Sequence, residues 1–364
     1  MNVNDLYNTL VENGVDRFAG VPDSLLKDFC SYLLVNVPKE RNIITANEGN
    51  AIAIASGHYL ATGRPMVVYM QNSGLGNIVN PLLSLVDVDV YNIPVLIFIG
   101  WRGEPGIHDE PQHIKQGKLT IPLLETMEIK YDILKDTNQI TSAFEYMKQT
   151  NKPFAFIVKK GIFAPYKKEK IIYKYDFTRE KAIQIIISLI NDEDIVVSTT
   201  GMISRELYEN RGTHEKDFLT VGSMGHASSI ALGIAINKPN RKVICFDGDG
   251  AFLMHMGAIP VIASLKQDNI KHIIFNNEAH DSVGAQPTVS ENIDIKQIAI
   301  SSGYNKAFSV SNEQDIKDIW KYFYSENGTN LLEIKVNCGA RDNLSRPKES
   351  PKDNRDLFMK FIRG

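Results

Sequence analysis

The chain has 364 residues, of which 43% are hydrophobic and 23% charged, and its formal net charge is -3. This length and apolar content allow a large core and about two domains, and they exclude a disordered chain. A nucleic-acid-binding protein is not expected, because no long basic stretch accompanies the near-neutral charge. The apolar runs are too short to span a membrane and the polar N-terminal residues do not resemble a secretory leader, so we expect a cytoplasmic protein.

Short apolar runs rich in β-branched residues alternate with helical patterns along the chain, which predicts α/β domains built on mostly parallel sheets flanked by helices. In the first part of the chain, the runs that predict strands are residues 17–19, 42–45, 65–70, 95–99 and 154–158. A stretch rich in tyrosine and lysine, residues 165–175, then interrupts the apolar pattern and is typical of a solvated linker.

The same alternation returns after this interruption, with strands predicted at residues 195–198, 242–247, 271–276, 306–310 and 330–336. We therefore expect two α/β domains, residues 1–165 and 178–364, joined by a linker over residues 166–177. In open parallel sheets, ligands bind beyond the carboxyl ends of the strands. The loops that follow these runs are therefore where functional residues are expected.

The three cysteines, Cys30, Cys245 and Cys338, are far apart in the sequence and form no CxxC pair. Each lies among apolar or strand-like neighbours. We therefore expect buried thiols in a reducing compartment rather than a catalytic thiol.

The most informative segment begins where a predicted strand, VICFD, runs into Gly-Asp-Gly at residues 248–250 and then a helix. One strand further along the chain come Asn276 and Asn277. Glycines let the backbone approach a diphosphate closely, and the helix N-terminus offers unpaired N–H groups to it. Asp249, Asn277 and a main-chain oxygen near Ala279 are the hard oxygen ligands that Mg²⁺ prefers. A lone glycine-aspartate turn is usually structural, but with the asparagines at this spacing it resembles the motif of thiamine-diphosphate-dependent enzymes.

That resemblance implies a second site residue, because enzymes of this family use a glutamate on a separate pyrimidine-binding domain to contact the aminopyrimidine ring. Glu48 meets this requirement, since it directly follows a predicted strand and begins a helix rich in alanine. Taken alone, a glutamate at this place is readily explained by the helix dipole. With the motif in the other half of the chain, we expect Glu48 to be catalytic and the two halves to be a pyrimidine-binding and a diphosphate-binding domain.

The segment VGSMGHASSIALGIA resembles the part of these enzymes that lies beneath the bent middle of the cofactor. There a main-chain oxygen accepts a hydrogen bond from the cofactor's amino group, and a large apolar side chain, here Met224, forces the two rings into a V. The alternative is that Met224 is ordinary core beside a glycine turn. The resemblance implies cofactor contacts at Glu48, Thr200, Gly201, Gly222, Ser223, Met224, Gly248, Asp249, Gly250, Ala251, Asn277 and Ser282.

Beyond these motifs, nearly the whole chain resembles the family of phosphonopyruvate and sulfopyruvate decarboxylases. The segments that carry this resemblance include FAGVPDSLLKDFC, VYMQNSGLGNIVNPLLSL, GWRGEPGIHDEPQHIKQG and NNEAHDSVGAQPT. It implies decarboxylation of 3-phosphonopyruvate to phosphonoacetaldehyde and CO₂ in phosphonate biosynthesis, with thiamine diphosphate and Mg²⁺ as cofactors. The sequence departs from the family pattern at His108 and Ala285, where a lysine and a glycine are expected.

Acid-base and substrate-binding residues are expected in the loops beside these motifs. For proton transfer the candidates are Asp23, His113 and His280, although a lone loop histidine is more often a surface residue. The anionic substrate needs donors, which glycine-rich polar loops offer, and Arg346 is a further positive charge. The candidate substrate ligands are Ser24, Gln71, Asn72, Ser73, Arg102 and His113.

Three alternatives stay open. Sulfopyruvate decarboxylation differs only in the sulfonate. Acetolactate-like carboligation needs room for a second 2-oxo acid, and it is disfavoured because the chain lacks the third domain that larger thiamine enzymes place between the pyrimidine-binding and diphosphate-binding domains. A nucleotide-sensing module is the non-enzyme alternative, but the chain has neither a GxGxxG turn nor a P-loop. Since Glu48 and Asp249 lie on different predicted domains, and active sites in the family form between neighbouring subunits, we expect a homodimer or larger assembly.

Overall fold

The computed structural model describes residues 1–166, 174–175 and 177–364. The chain divides into two compact units, Met1–Lys170 and Ile171–Gly364. Most of the predicted linker, residues 166–177, lies outside the described residues. Among the described helices, none combines the length and the apolar content needed to cross a bilayer.

The first unit is built on one parallel sheet with helices on both faces. Its strands are β1 (Phe18–Gly20), β2 (Asn42–Ile44), β3 (Val67–Gln71), β4 (Leu96–Gly100), β5 (Lys130–Ile133) and β6 (Phe154–Val158). They lie in the order β2-β1-β3-β4-β6-β5, and all neighbouring strands are parallel. The helices are α1 (Val3–Glu12), α2 (Lys27–Asn36), α3 (Glu48–Thr62), α4 (Leu75–Ser84), α5 (Pro111–Thr126) and α6 (Asn138–Thr150).

Both faces of this sheet are buried, as its continuous apolar runs predict. Val67 and Tyr69 of β3 pack into one apolar cluster, while Val68 and Met70 pack into the cluster on the other face. This alternation follows from the two-residue period of a strand. The edge strand β5 is not among the predicted strands, because its sequence KYDI alternates exposed and half-buried residues and forms no apolar run.

The second unit repeats this architecture. Its strands are β7 (Ile195–Ser198), β8 (Asp217–Leu219), β9 (Val243–Gly248), β10 (Ile270–Asn276), β11 (Ala279–His280), β12 (Gln286–Pro287), β13 (Lys306–Val310) and β14 (Asn330–Lys335). The parallel sheet has the order β13-β14-β10-β9-β7-β8, and β11 pairs with β12 as a separate antiparallel hairpin. The helices are α7 (Arg179–Leu189), α8 (Met202–Asn210), α9 (Ala227–Asn237), α10 (Asp249–Met254), α11 (Ala258–Ser264), α12 (Ile295–Ser301), α13 (Glu313–Tyr324) and α14 (Pro351–Arg363).

When the strands of each parallel sheet are numbered along the chain, both sheets have the order 2-1-3-4-6-5. The order reverses between the first and third strands, and ligands of open α/β sheets bind at such a switch point. It lies beyond β1 and β3 in the first unit and beyond β7 and β9 in the second. The predicted fold class, two α/β units with mostly parallel sheets flanked by helices, is therefore confirmed.

The cysteines follow their prediction in part. Cys30 and Cys245 are buried, whereas Cys338 is half-buried in the segment after β14. That segment is irregular and lies at the carboxyl edge of the sheet, where side chains are less covered than in the strands.

Candidate active site

Glu48 is the first residue of α3 and is only 5% exposed. The helix is capped by its neighbour Asn47, whose side chain accepts a hydrogen bond from the Asn50 amide. The Glu48 carboxylate instead accepts a hydrogen bond from Asn77 Nδ2 at 2.6 Å. It is therefore held inside the first unit by a contact other than capping, close to the switch point beyond β3.

Gly74 makes room for this carboxylate. A Cβ atom at Gly74 would lie 2.4 Å from Glu48 Oε1 and 2.6 Å from its Cδ. The backbone φ of Gly74 is -71°, which an alanine adopts without strain, so it is the contact with Glu48 and not the backbone that excludes a side chain. We expect Gly74→Ala to displace Glu48 and lower kcat by about tenfold or more, since small misplacements of reacting groups are costly.

The matched control for this variant is Gly76→Ala. A Cβ atom at Gly76 would meet nothing within 4 Å, so this variant should keep the kcat of the wild-type protein. Steady-state kinetics of both variants check the prediction, and equal activities would contradict the close packing of Gly74 on Glu48.

Asp23 follows β1 and is completely buried. Its Oδ1 accepts a hydrogen bond from Gln71 Nε2 at 2.7 Å, and its Oδ2 accepts one from the Leu25 amide at 2.8 Å. Ser73 in turn donates to Gln71 Oε1 at 2.9 Å. Burial raises the pKa of Asp23, against these hydrogen bonds and the charge of Arg102. A carboxyl group with a raised pKa is suited to hold or deliver a proton.

Arg102 follows β4 and is clamped by Asp109, a residue that the sequence did not single out. Its Nε and one terminal nitrogen donate to the two Asp109 oxygens at 2.8 and 2.5 Å, and its other terminal nitrogen donates to Ser24 Oγ at 3.0 Å. The hydrogen bond from Arg102 lowers the pKa of Asp109 to about 2. Asn72 is buried and donates to the Arg102 carbonyl and to Thr120, so its amide supports this loop.

His113 lies in the first turn of α5. Its Nδ1 atom is buried and has no hydrogen-bond partner among the described residues. Burial, and then the charge of Arg102, lower the pKa of His113 to about 4, so the ring is neutral at neutral pH. An unpaired buried nitrogen is costly, and a polar group of a ligand would satisfy it.

In the second unit, the turn at the end of β9 is held by a buried chain of polar groups. The Gly248 amide donates to Asp247 Oδ1 at 3.0 Å, and His272 Nε2 lies 3.4 Å from Asp247 Oδ2. Tyr304 contacts the other ring nitrogen of His272 at 3.2 Å. These side chains fix the direction in which the chain leaves the strand at Asp249.

Asp249 is the first residue of α10 and is only 2% exposed. Its Oδ2 accepts hydrogen bonds from the Thr288 and Ser290 hydroxyls at 2.5 and 2.9 Å, and both partners are neutral. Burial raises the pKa of Asp249 to about 6. A bound cation would stabilise the ionised carboxylate, so this residue fits a metal ligand.

The two asparagines of the motif have different surroundings. Asn276 is buried and donates to Glu333 Oε1 at 2.7 Å, so it belongs to the scaffold beneath the site. Asn277 Oδ1 accepts a hydrogen bond from the Ala279 amide at 3.2 Å, and its Nδ2 donates to Asp281 at 3.1 Å. Neutral amide oxygen suits Mg²⁺, so Asn277 also fits the ion.

Several of the predicted cofactor contacts lie together near the carboxyl ends of β7 and β8. The Gly222 amide donates to Thr200 Oγ1 at 3.1 Å. A Cβ atom at Gly201, whose φ is +96°, would lie 3.9 Å from Ser282 Oγ. Glycine, hydroxyl groups and the following start of α8 are the groups that bind a diphosphate.

Gly250 brings together two further predicted residues. A Cβ atom there would lie 2.9 Å from His280 Nδ1 and 3.3 Å from the Met224 methyl carbon. Burial lowers the pKa of His280 to about 4, so this ring is also neutral at neutral pH. The close packing explains why glycine follows Asp249.

The two departures from the family pattern have different settings. Ala285 has a φ of +56°, a left-handed conformation that glycine adopts more readily than alanine. His108 is exposed in the loop after β4, and Arg346 is exposed in the segment between β14 and α14.

Ala251, a predicted cofactor contact, is buried in α10, and Ser223 has a φ of +44° in the turn before Met224.

Two family models match the chain. A thiamine pyrophosphate enzyme N-terminal TPP binding domain matches residues 2–121, and the C-terminal TPP binding domain of such enzymes matches residues 198–334. Thiamine pyrophosphate is another name for thiamine diphosphate. The first match falls in the unit that contains Glu48, and the second in the unit that contains Asp249.

Three relatives are similar over nearly their full length. The phosphonopyruvate decarboxylase of Streptomyces viridochromogenes is 32% identical, over 98% of this chain and 94% of the relative. The phosphonopyruvate decarboxylase of Streptomyces hygroscopicus is 30% identical, over 99% and 94%. The sulfopyruvate decarboxylase of Methanosarcina acetivorans is 29% identical, over 96% and 95%.

Proposed function

Because the chain belongs to the family of thiamine-diphosphate-dependent 2-oxo acid decarboxylases, we propose that it converts 3-phosphonopyruvate to phosphonoacetaldehyde and CO₂ in phosphonate biosynthesis. The observation that carries this substrate is the similarity to two phosphonopyruvate decarboxylases over 94% of their length. The next relative, a sulfopyruvate decarboxylase, makes sulfopyruvate the second candidate. We also propose a homodimer or larger assembly, in which neighbouring subunits complete the active site; the family resemblance supports it.

The cofactors of this proposal are thiamine diphosphate and Mg²⁺. Thiamine diphosphate supplies a nucleophilic carbon and the electron sink that a 2-oxo acid needs in order to lose CO₂. Asp249, Asn277 and the Ala279 carbonyl would hold Mg²⁺, which binds through few protein ligands together with phosphate oxygens. The remaining contacts are assigned to Glu48 for the aminopyrimidine, Met224 for the bend of the cofactor, and Thr200, Gly201, Gly222, Ser223, Gly248, Gly250, Ala251 and Ser282.

The reaction replaces the carboxylate by a proton, so one acid must deliver a proton in each turnover. Asp23, His113 and His280 are the proposed acid-base groups. Burial raises the pKa of Asp23, whereas it lowers the pKa of both histidines to about 4. At neutral pH the histidines are therefore neutral hydrogen-bond partners, and Asp23 is the better candidate for the proton donor.

Arg102 is the proposed anchor for the anionic end of the substrate. It is half-buried, fixed by Asp109, and already directs one terminal nitrogen at the Ser24 hydroxyl. The other proposed substrate ligands of this unit are Ser24, Gln71, Ser73 and His113, whose Nδ1 atom has no partner among the described residues. Asn72 acts in this proposal through the loop that carries Arg102, because its side chain bonds to the Arg102 backbone and to Thr120 of α5.

The test uses the purified protein with Mg²⁺ and thiamine diphosphate. Phosphonopyruvate, sulfopyruvate and pyruvate are added in separate assays, and aldehyde formation is followed with a coupled alcohol dehydrogenase. We expect the highest kcat/KM with phosphonopyruvate. We expect Arg102→Lys to lower that kcat/KM by about 10- to 100-fold, because lysine loses the charge-assisted planar contacts, and to affect pyruvate less.

Arg64→Lys is the matched control, because Arg64 is exposed and contacts Asp16 only at 3.7 Å. It should leave all three substrates unaffected. A higher kcat/KM with sulfopyruvate would replace the proposed substrate, and acetolactate formation from pyruvate would replace the proposed reaction.

A further inference from the structure

We propose that Asp281, held by Arg179, is a positioning residue that orients the Asn277 amide so that its oxygen faces the Mg²⁺ ion. This inference rests on the proposed Mg²⁺ site of the second unit. Asp281 itself would not touch the ion; it would act through Asn277, four residues earlier in the chain.

The orientation of Asn277 follows from the chemistry of its two contacts. The Asp281 carboxylate only accepts hydrogen bonds, so it selects the NH₂ end of the amide, which donates to it at 3.1 Å. The Ala279 N–H group only donates, and it selects the oxygen end at 3.2 Å. A flipped amide would place oxygen against carboxylate and NH₂ against N–H. Both contacts therefore favour the orientation in which a second lone pair of the amide oxygen remains for a metal.

Asp281 is itself fixed by a dense set of donors. Arg179 donates to its Oδ2 at 2.7 Å, the Gly339 amide lies 3.0 and 3.1 Å from its two oxygens, and the Cys338 thiol donates at 2.9 Å. These donors come from α7 and from the segment after β14, so the loop that carries Asp281 is bonded to two other parts of the unit.

Arg179 is a rigid support for this carboxylate. It is 3% exposed and makes a two-pronged contact with Glu206 on α8, at 2.7 and 2.9 Å. Burial opposes the charge of Arg179, but the hydrogen bonds and charges of Glu206 and Asp281 outweigh it and raise the pKa. A buried cation that bonds two carboxylates holds Asp281 in a fixed position, from which it accepts the hydrogen bond of Asn277.

The test uses Mn²⁺ as a probe for Mg²⁺. Binding of Mn²⁺ to the full-length protein in the presence of thiamine diphosphate is measured from the EPR signal of free Mn²⁺. We expect Asp281→Asn to raise the Kd by about 10- to 100-fold, the usual effect of losing a partner that orients a metal ligand. Cys338→Ala is the matched control: it removes a hydrogen bond to the same carboxylate but none to Asn277. It should change the Kd by less than about threefold, because a thiol is a weak donor.

A double variant separates positioning from general support of the fold. Asn277→Asp alone places two carboxylates side by side and should weaken Mn²⁺ binding. Adding Asp281→Asn to it restores a donor-acceptor pair with reversed polarity, so the double variant should bind Mn²⁺ more tightly than Asn277→Asp alone. If Asp281→Asn weakened binding equally in both backgrounds, Asp281 would only stabilise the unit and the inference would be overturned.

The outcome is distinguishable from failure of the proposed function. Binding of Mn²⁺ does not depend on which 2-oxo acid is the substrate. Wild-type protein that bound no Mn²⁺ with thiamine diphosphate would overturn the Mg²⁺ site, whereas normal binding by both the wild type and Asp281→Asn would overturn only the role of Asp281.

Discussion

We expect the Glu48→Gln variant to lose roughly 10²- to 10⁴-fold in kcat while it keeps its fold, which is the usual contribution of a positioned acid-base group. Glutamine has the same shape and retains an oxygen that can accept the hydrogen bond from Asn77, so the side chain should stay in place. What it loses is the ability to exchange a proton with the aminopyrimidine. The measurements are kcat and the rate of hydrogen exchange at the reactive carbon of bound thiamine diphosphate, and both should fall together.

Glu125→Gln is the control for this variant. Glu125 is an exposed carboxylate of the same unit that accepts a hydrogen bond from a neutral partner, Tyr131, at 3.0 Å. Its substitution should leave both rates unchanged. Full turnover by Glu48→Gln would remove Glu48 from the catalytic residues and with it the main reason to place the aminopyrimidine in the first unit.

The predicted strands include every interior strand of the two parallel sheets and two of their four edge strands, β2 and β13. β4 (LIFIG) and β6 (FAFIV) are buried at every residue, and a continuous apolar run in the sequence indicates such a strand. The other two edge strands lack an apolar run: β5 (KYDI) alternates exposed and half-buried residues, and β8 (DFL) begins with an aspartate. The sequence therefore predicts the middle of each sheet better than its edges.

In the candidate site, residues of a local sequence motif could be predicted, whereas contacts between residues far apart in the sequence could not. The Gly-Asp-Gly turn at residues 248–250 is a local pattern, and its spacing to the asparagines is visible in the sequence. Thr288, which donates to Asp249, lies 39 residues away, and Asp281 lies 102 residues from Arg179. No periodicity or spacing rule connects such pairs, because only the fold brings them together. Asp109 escaped prediction because a single aspartate in a polar loop is usually solvated.

The two adjacent asparagines of the motif have different contacts in the structure, which the sequence does not show. Asn276 ends β10 and donates to Glu333 of β14, whereas Asn277 lies beyond the strand and contacts Asp281. The Asn276 side chain is already bonded to Glu333 and Ser290, whereas Asn277 lies in the loop after the strand, where ligands of parallel sheets bind. The choice of Asn277 as the metal ligand is compatible with this geometry, and it leaves Asn276 the task of supporting the Asp249 turn through Ser290.

The second large effect is expected from Asp249→Asn. We expect activity to fall by at least about 100-fold, since even partners that only orient a metal ligand cost 10- to 100-fold. Without ligands the variant should melt no earlier than the wild type, because burial raises the pKa of Asp249 to about 6 and an amide removes this unfavourable ionisation. Wild-type protein should gain about 2.7 kcal/mol of stability at a ligand concentration of 100 Kd. The variant should lose most of this gain, as thermal melting with and without Mg²⁺ and thiamine diphosphate can show.

Asp194→Asn is the matched control, because Asp194 is also a buried carboxyl group with a raised pKa in the same unit. It precedes β7, whereas Asp249 follows β9, and these strands are parallel neighbours, so the two carboxyl groups lie at opposite ends of the sheet. Asp194 accepts a hydrogen bond from Tyr324 at 2.5 Å, away from the proposed metal ligands, so Asp194→Asn should leave the ligand-induced gain intact. The ligand-induced gain is therefore the quantity that separates the two variants, because burial raises the pKa of both carboxyl groups. Equal ligand-induced gains in Asp249→Asn and the wild type would place the metal elsewhere.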